Sequence, residues 1–197
     1  MRIKRIIGGS LESNGYIIYT NASDTCFIID PGYNAQAFVN YMEGERLKCE
    51  GILLTHNHYD HVGAADKLAM DVAAKVYMHA NDAQDYKGKV DVILYGGEKL
   101  NTGQLEIEVI HTPGHSSGSV CFAEWDAKAI FTGDTVFNVD LGRTDLKSGS
   151  EYQMVASIRD IVDRWSNDIT IYPGHGDPAT MKWVREHNHE YEGIVKK

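Results

Sequence analysis

A continuous apolar run, Gly51-Ile52-Leu53-Leu54, leads without a spacer into Thr55-His56-Asn57-His58-Tyr59-Asp60-His61. A short unbroken apolar run of this kind reads as a strand buried on both faces, so the sheet that holds it must be covered on both sides. The polar segment that follows must then lie where the strand ends. Three imidazoles and a carboxylate fall within six residues there. Neutral imidazole is the commonest transition-metal ligand, and carboxylates join it in hydrolytic sites. In an extended or turning segment, residues two apart converge, so His56 and His58 suit one shared ion. Asp60 and His61 then point elsewhere and suit a second.

The rest of the chain supplies the layers. Tyr16 to Tyr19 and Cys26 to Ile29 are β-branched and aromatic runs divided by the turn-rich segment 20–24, and Asp30-Pro31-Gly32 closes the second with turn chemistry. Residues 76–78, 119–123, 129–132 and 169–172 read as strands, and 105–110 alternates with the period of a half-buried one. Helices are expected over 35–41, 63–72 and 150–165, the last with Met154, Val155, Ile158, Ile161, Val162 and Trp165 on one face. Pro178 is expected to open a final helix. Residues 80–97 have no clear period. Strands with interspersed helices predict an α/β layered domain.

The strand-end pattern recurs. His115 follows Pro113-Gly114, Asp134 follows Gly133 and His175 follows Pro173-Gly174, each just past a predicted strand or turn. Glycine permits close backbone approach and so suits a ligand held at a sharp turn. A single Pro-Gly-His is weak evidence, whereas four such segments in 197 residues form a set. Gly114-His115-Ser116-Ser117-Gly118 also has the spacing of a nucleophile elbow. That motif needs a helix after the turn, and residues 119–123 read as a strand, so Ser116 is assigned to hydrogen bonding around His115.

Composition excludes other classes. Asp plus Glu number 28 against 19 Lys plus Arg, for a net charge of −9, which disfavours nucleic acid and anionic membranes. The start of the chain lacks the apolar core of a signal peptide, and no run approaches the ~18 apolar residues of a membrane helix. Three widely spaced cysteines imply reduced thiols and no disulfide framework, so the expected address is the cytoplasm. Of nine histidines, His79, His111, His187 and His189 lie outside any ligand-dense context.

Together these segments resemble the metallo-β-lactamase fold superfamily, and within it the glyoxalase II-like branch. The resemblance runs from Asn14-Gly15-Tyr16 and Ile29-Asp30-Pro31-Gly32 to Pro173-Gly174-His175-Gly176. It implies an αββα sandwich with the site at one edge of two sheets. It also implies two divalent metal ions, with zinc the default and iron or manganese open. His56, His58 and His115 would hold the first, Asp60, His61 and His175 the second, and Asp134 would bridge them. The implied activity is hydrolysis of a thioester or related ester on a small-molecule substrate, with Asp60 and Asp134 catalytic. Gly142-Arg143-Thr144-Asp145-Leu146 is similar to a segment of persulfide dioxygenases and short glyoxalase II-like proteins, and it replaces the Lys-Phe-Tyr-Glu-Gly type stretch of glyoxalase II proper. Arg143 is a candidate for an anionic substrate group, or for an ion pair with Asp145 or Asp140. Residues 1–197 are expected to form a single domain with no C-terminal glutathione-binding helical domain. This departs from glyoxalase II proper and weighs against a glutathione thioester as substrate. The alternative activity is a mono-iron persulfide dioxygenase using His56, His115 and Asp134. A non-catalytic metal-binding protein on the same fold is a third reading. Oligomeric state is not legible.

Overall fold

The computed structural model describes residues 1–196 and divides the chain into two six-stranded sheets. The first contains β1 (Arg2–Gly8), β2 (Ser13–Tyr19), β3 (Thr25–Ile29), β4 (Lys48–Leu53), β5 (Lys75–His79) and β6 (Val92–Leu94), side by side in chain order. The second contains β7 (Lys99–Thr102), β8 (Leu105–His111), β9 (Val120–Glu124), β10 (Ala129–Gly133), β11 (Thr170–Pro173) and β12 (Ala179–Thr180), again in chain order. The helices are α1 (Ala35–Glu45), α2 (Tyr59–Val62), α3 (Ala65–Val72), α4 (Ala80–Ala83), α5 (Glu151–Asp160), α6 (Met181–His187) and α7 (His189–Val195).

Side-chain alternation along the strands sorts the apolar residues into separate cores. Ile17, Cys26, Ile28 and Ile52 face outward from the first sheet onto Phe38 and Met42 of α1 and Leu68 of α3. Their neighbours Tyr16, Ile18, Phe27, Ile29 and Leu53 face inward and meet Ile107, Val109, Phe122 and Phe131 of the second sheet. Cys121, Ala123, Ile130 and Ile171 face outward again, onto Met154 and Ile158 of α5, Met181 and Val184 of α6, and Tyr191 of α7. The order is therefore helix, sheet, sheet, helix, which is the expected αββα sandwich. Both central sheets are covered on each face, so β4 and β10 tolerate near-continuous apolar runs.

Several expected boundaries move for local reasons. The helix expected over 63–72 is α2 plus α3, and it begins earlier, inside the His-rich segment. The helix expected over 150–165 starts on the Ser150 cap, whose side chain accepts the Gln153 N–H, but it ends at Asp160. Ile161 leaves helical geometry and a 3-10 turn covers Val162–Arg164. Pro178 does not open a helix. Ala179 and Thr180 pair with Ile171 and Thr170 of β11, and the helix begins only at Met181, capped by Thr180. The segment without a clear period resolves into α4 and β6, and β1 emerges from Arg2–Gly8 as an edge strand with alternating exposure.

The sandwich positions the site through strand direction. β3, β4 and β5 are mutually parallel, and β10 is parallel to β11. Leu53, Gly133 and Pro173 thus end strands from which the chain turns directly into His56, Asp134 and His175.

Candidate metal centre

The seven candidate ligands meet at one edge of the sandwich. The His-rich segment changes conformation in its middle, and this change divides its ligands. His58 is extended (φ −68°, ψ 143°) and Tyr59 begins the single turn of α2. His56 and His58 therefore project from extended backbone at i and i+2, whereas Asp60 and His61 project from a helical turn. His56, His58 and His115 bring one ligand atom each within 4.8 Å of one another, and Asp60, His61 and His175 do the same.

Hydrogen bonds on the far side of each ring define which nitrogen is free. His115 Nδ1 donates to the Arg143 carbonyl at 2.7 Å, and His175 Nδ1 donates to the Leu11 carbonyl at 3.0 Å. Carbonyls can only accept, so Nδ1 carries a proton in both rings, and each ring when neutral presents an Nε2 lone pair to the site. The Thr55 hydroxyl gives its proton to Asp30 Oδ2 at 2.6 Å and so receives that of His56 Nδ1 at 2.9 Å. His61 Nδ1 lies 3.3 Å from Asp30 Oδ2, though poorly aligned. Four Nε2 atoms are therefore turned toward the site. His58 Nδ1 stands 2.8 Å from His115 Nε2, and His61 Nε2 stands 3.2 Å from His175 Nε2. Lone pairs that close need a proton or a cation between them.

Asp134 lies between the two groups. Its Oδ1 is 3.4 Å from His61 Nε2, while its Oδ2 is 3.4 Å from His115 Nε2 and 3.6 Å from His175 Nε2. His56 Nε2 and Asp134 Oδ1 are buried with no hydrogen-bond partner. A buried acceptor left in that state costs about 1–3 kcal/mol, and a cation would satisfy both. The donor set of imidazole and carboxylate fits a borderline divalent ion.

Charge is distributed unevenly across the site. Burial and the surrounding imidazoles hold His56 well below the ordinary histidine range, and burial with His115 lowers His58. Burial also works against charge on His61, yet Asp134, Asp30 and Asp60 outweigh it and raise that ring. His175 is raised against burial by Asp60 and Asp134. Burial would raise Asp60, but His175 and His61 hold it far below the usual carboxylate range.

Glycine lets these groups approach. A Cβ on Gly174 would lie 2.2 Å from Asp134 Oδ1 and 2.6 Å from His61 Cε1. The site opens into a cleft of about 750 Å³ walled by Leu11, Tyr59, Phe137, Val139 and Leu146, with Arg143 at its rim. Arg143 makes the ion pair that was one of its two expected roles, donating to both oxygens of Asp145 at 2.7 and 2.8 Å.

The remaining motifs settle as follows. Ser116 is followed by a turn and β9, with no helix, and its hydroxyl contacts Asp82 and Ser119. His79 and His111 stack on each other at 4.1 Å, His187 stacks on Trp183, and His189 is exposed. Two buried acids escaped the sequence reading as site residues. Asp30 was read only as turn chemistry, yet it is 2% exposed and adopts φ +47°, unusual for a non-glycine residue. A carboxylate just past a buried strand is the same signal that singled out Asp134. Asp82, 1% exposed, lies in the segment without a clear period.

Comparison with known proteins agrees with this fold. The family model described as "Metallo-beta-lactamase superfamily" matches residues 8–175. Hydroxyacylglutathione hydrolase GloC of Haemophilus influenzae is 30% identical over 95% of this chain and 97% of its own length. Among solved structures, the BLEG-1 B3 metallo-β-lactamase superposes with a TM-score of 0.87 at 30% identity, covering 95% of this chain and 98% of its own. TTHA1623, solved in a di-iron-bound form, gives a TM-score of 0.83 at 28% identity over 94% of this chain and 98% of its own.

Proposed function

Because this chain belongs to the metallo-β-lactamase superfamily, we propose that it is a binuclear metal-dependent hydrolase cleaving a thioester or related ester. His56, His58 and His115 would hold one ion, Asp60, His61 and His175 the other, and Asp134 both. The observation that carries this reading is the position of Asp134 between the two groups, its carboxylate lying 3.4 Å from His115 of one and 3.4 and 3.6 Å from His61 and His175 of the other. Zinc is the default occupant, and the di-iron form of a relative keeps iron among the candidates.

When bound, two divalent ions supply an acidified water, its pKa lowered from 15.7 toward ~7, and polarise a carbonyl oxygen. The protein supplies the rest. The hydrogen bonds from His115 and His175 to backbone carbonyls fix ring orientation, as outer partners do in metal sites. Asp60 lines the cleft beside the second group and would orient the attacking water. The exposed apolar side chains of Leu11, Tyr59 and Val139, with Phe137, offer the carbon skeleton of a substrate a surface beside the ligands. Arg143, at the rim, has further N–H groups beyond the two used on Asp145 and is suited to an anionic arm of the substrate.

A hydroxyacylglutathione-like thioester is the leading substrate. The expectation that glutathione thioesters require a C-terminal helical domain is weakened by GloC, since 97% of that relative is matched within the present chain.

Metal analysis of the purified protein, combined with assays on S-lactoylglutathione and on glutathione persulfide with oxygen uptake, tests the proposal. Near two ions per chain with thioester cleavage is the expected result. One iron per chain with oxygen consumption would overturn it in favour of the mono-iron dioxygenase built on His56, His115 and Asp134.

A further inference from the structure

A second buried carboxylate is built into the walls of the site without touching it. Asp82 sits in the single turn of α4, and its side chain joins two loops that are distant in sequence. Its Oδ2 accepts the Asn57 N–H at 2.9 Å and the Ser116 hydroxyl at 2.8 Å, and its Oδ1 accepts the Gly118 N–H at 2.7 Å. Its own carbonyl accepts Asn57 Nδ2 at 3.1 Å. The Ser116 hydroxyl, having donated to Asp82, accepts from Ser119 Oγ at 2.7 Å. Gly118 is required for this approach, since a Cβ there would stand 2.5 Å from Asp82 Oδ1.

The positions of these contacts matter more than their number. Asn57 lies between His56 and His58, and Ser116 follows His115. No lysine, arginine or histidine pairs with Asp82 among the described residues. A carboxylate buried without a counter-cation is held only by the donors aimed at it, so the donors are held equally firmly by it. Asp82 touches none of the anchors of the other trio, which are Ser13 Oγ on the Asp60 carbonyl at 2.7 Å, Leu11 on His175 at 3.0 Å and Asp30 beside His61 at 3.3 Å; Asp30 also reaches His56 through the Thr55 hydroxyl.

We infer that Asp82 is a positioning residue that clamps the His56–Asn57–His58 segment to the His115 turn, and so determines the cation affinity of the His56, His58, His115 trio alone. The inference rests on the binuclear reading above, and wild-type stoichiometry tests that reading separately. In Asp82→Asn an amide N–H2 replaces one acceptor and faces donors, so at least one clamp bond is lost. In Ser116→Ala one donor is removed and both backbone N–H bonds to the carboxylate remain, giving a milder, fold-sparing variant.

The experiment titrates metal-stripped wild type, Asp82→Asn and Ser116→Ala with Zn²⁺ against a competing chelator, and records Co²⁺ absorption spectra and thermal unfolding in parallel. Disturbed outer partners typically cost metal sites about 10- to 100-fold in affinity. The expected result is a loss of that size at one of the two sites in Asp82→Asn and a smaller loss at the same site in Ser116→Ala. The other site should keep its affinity within about threefold. Only the Co²⁺ bands of the weakened site should fade. Equal weakening of both sites, or two unchanged sites in a folded variant, overturns the inference while leaving the hydrolase reading intact. A wild type that binds a single ion overturns both. If Asp82→Asn does not fold, Ser116→Ala decides by the same criteria.

Discussion

Gly174→Ala adds one methyl group against the heart of the site. The nearest atoms are Asp134 Oδ1 at 2.2 Å, His61 Cε1 at 2.6 Å and the Gly133 carbonyl carbon at 3.1 Å. The first is the end of a side chain enclosed by His61, His115 and His175, and the others belong to a buried ring and to backbone. His61 is fully buried, and the backbone at Gly174 is tied by its N–H to the Gly133 carbonyl at 2.8 Å and by its carbonyl to the Asn14 N–H at 2.7 Å. To reach ordinary contact, Asp134 Oδ1 must retreat by about 1 Å. Overpacking of this kind costs about 1–3 kcal/mol of stability. Its effect on turnover is larger, because a displacement of ~1 Å in a catalytic group can cost about 100-fold. Gly44 provides the control, since a Cβ there meets nothing within 4 Å and the residue lies on the exposed side of α1. Gly44→Ala should leave activity unchanged and stabilise by about 0.5–1 kcal/mol, the usual gain of alanine over glycine in a helix. The assay pairs steady-state thioester hydrolysis with urea unfolding of both variants. A Gly174→Ala protein with wild-type kcat and metal content would refute the argument that Asp134 must stand where the structure has it.

The assignment of ligands to two groups makes a further pair of variants informative. Asp134→Ala should abolish hydrolysis and lower the retention of both ions, measured by metal analysis after dialysis. His58→Ala should cripple a binuclear hydrolase while sparing a mono-iron oxygenase, so hydrolysis retained without His58 counts against the assignment. The thiols provide a test of the fold. Cys26 and Cys121 are buried and Cys49 is half-buried, so one thiol should react with a disulfide reagent in the native protein and three in urea. Burial pushes the Cys121 thiol up to about 11 from the ordinary 9.0. The unfolded thiol ionises first, so this residue's contribution to stability is complete below pH 9 and is lost as pH rises toward 11. Urea unfolding at pH 8 and 10.5 should show a decline that is smaller in Cys121→Ala, since Cys26, Tyr16 and Tyr191, raised in the same direction, contribute the rest. Three thiols reacting quickly at pH 8 would refute the packing.

What was legible in the sequence follows from how local each determinant is. Strands such as Tyr16–Tyr19 and Phe27–Ile29 carry their own apolar pattern, so their existence could be read directly. The ends of α5 and the start of α6 could not. Ile161 continues the apolar spacing of the preceding helix, yet its backbone leaves helical geometry. Ala179 and Thr180 become a strand because Ile171 and Thr170 lie beside them, a partnership of residues far apart in the chain. Tertiary pairing overrides local preference in this second case.

The site divides along the same line, with a physical consequence. His56, His58, Asp60 and His61 were legible because one short segment carries them all. The groups that orient them were not, because each comes from elsewhere. Asp30 reaches Thr55 and His61, Asp82 reaches Asn57 and Ser116, and the Leu11 carbonyl reaches His175 across 164 residues. A ligand atom needs only the right chemistry, and residue type reveals that. An orienting group needs the right place, which exists only after both sheets have closed on each other. The convergence of the Nε2 atoms of His56, His61, His115 and His175 is therefore a product of the sandwich as a whole. Damage to Asp82 should consequently appear first as weakened metal binding at the His56, His58, His115 trio, and damage to Asp30 at both trios, well before the fold itself is lost.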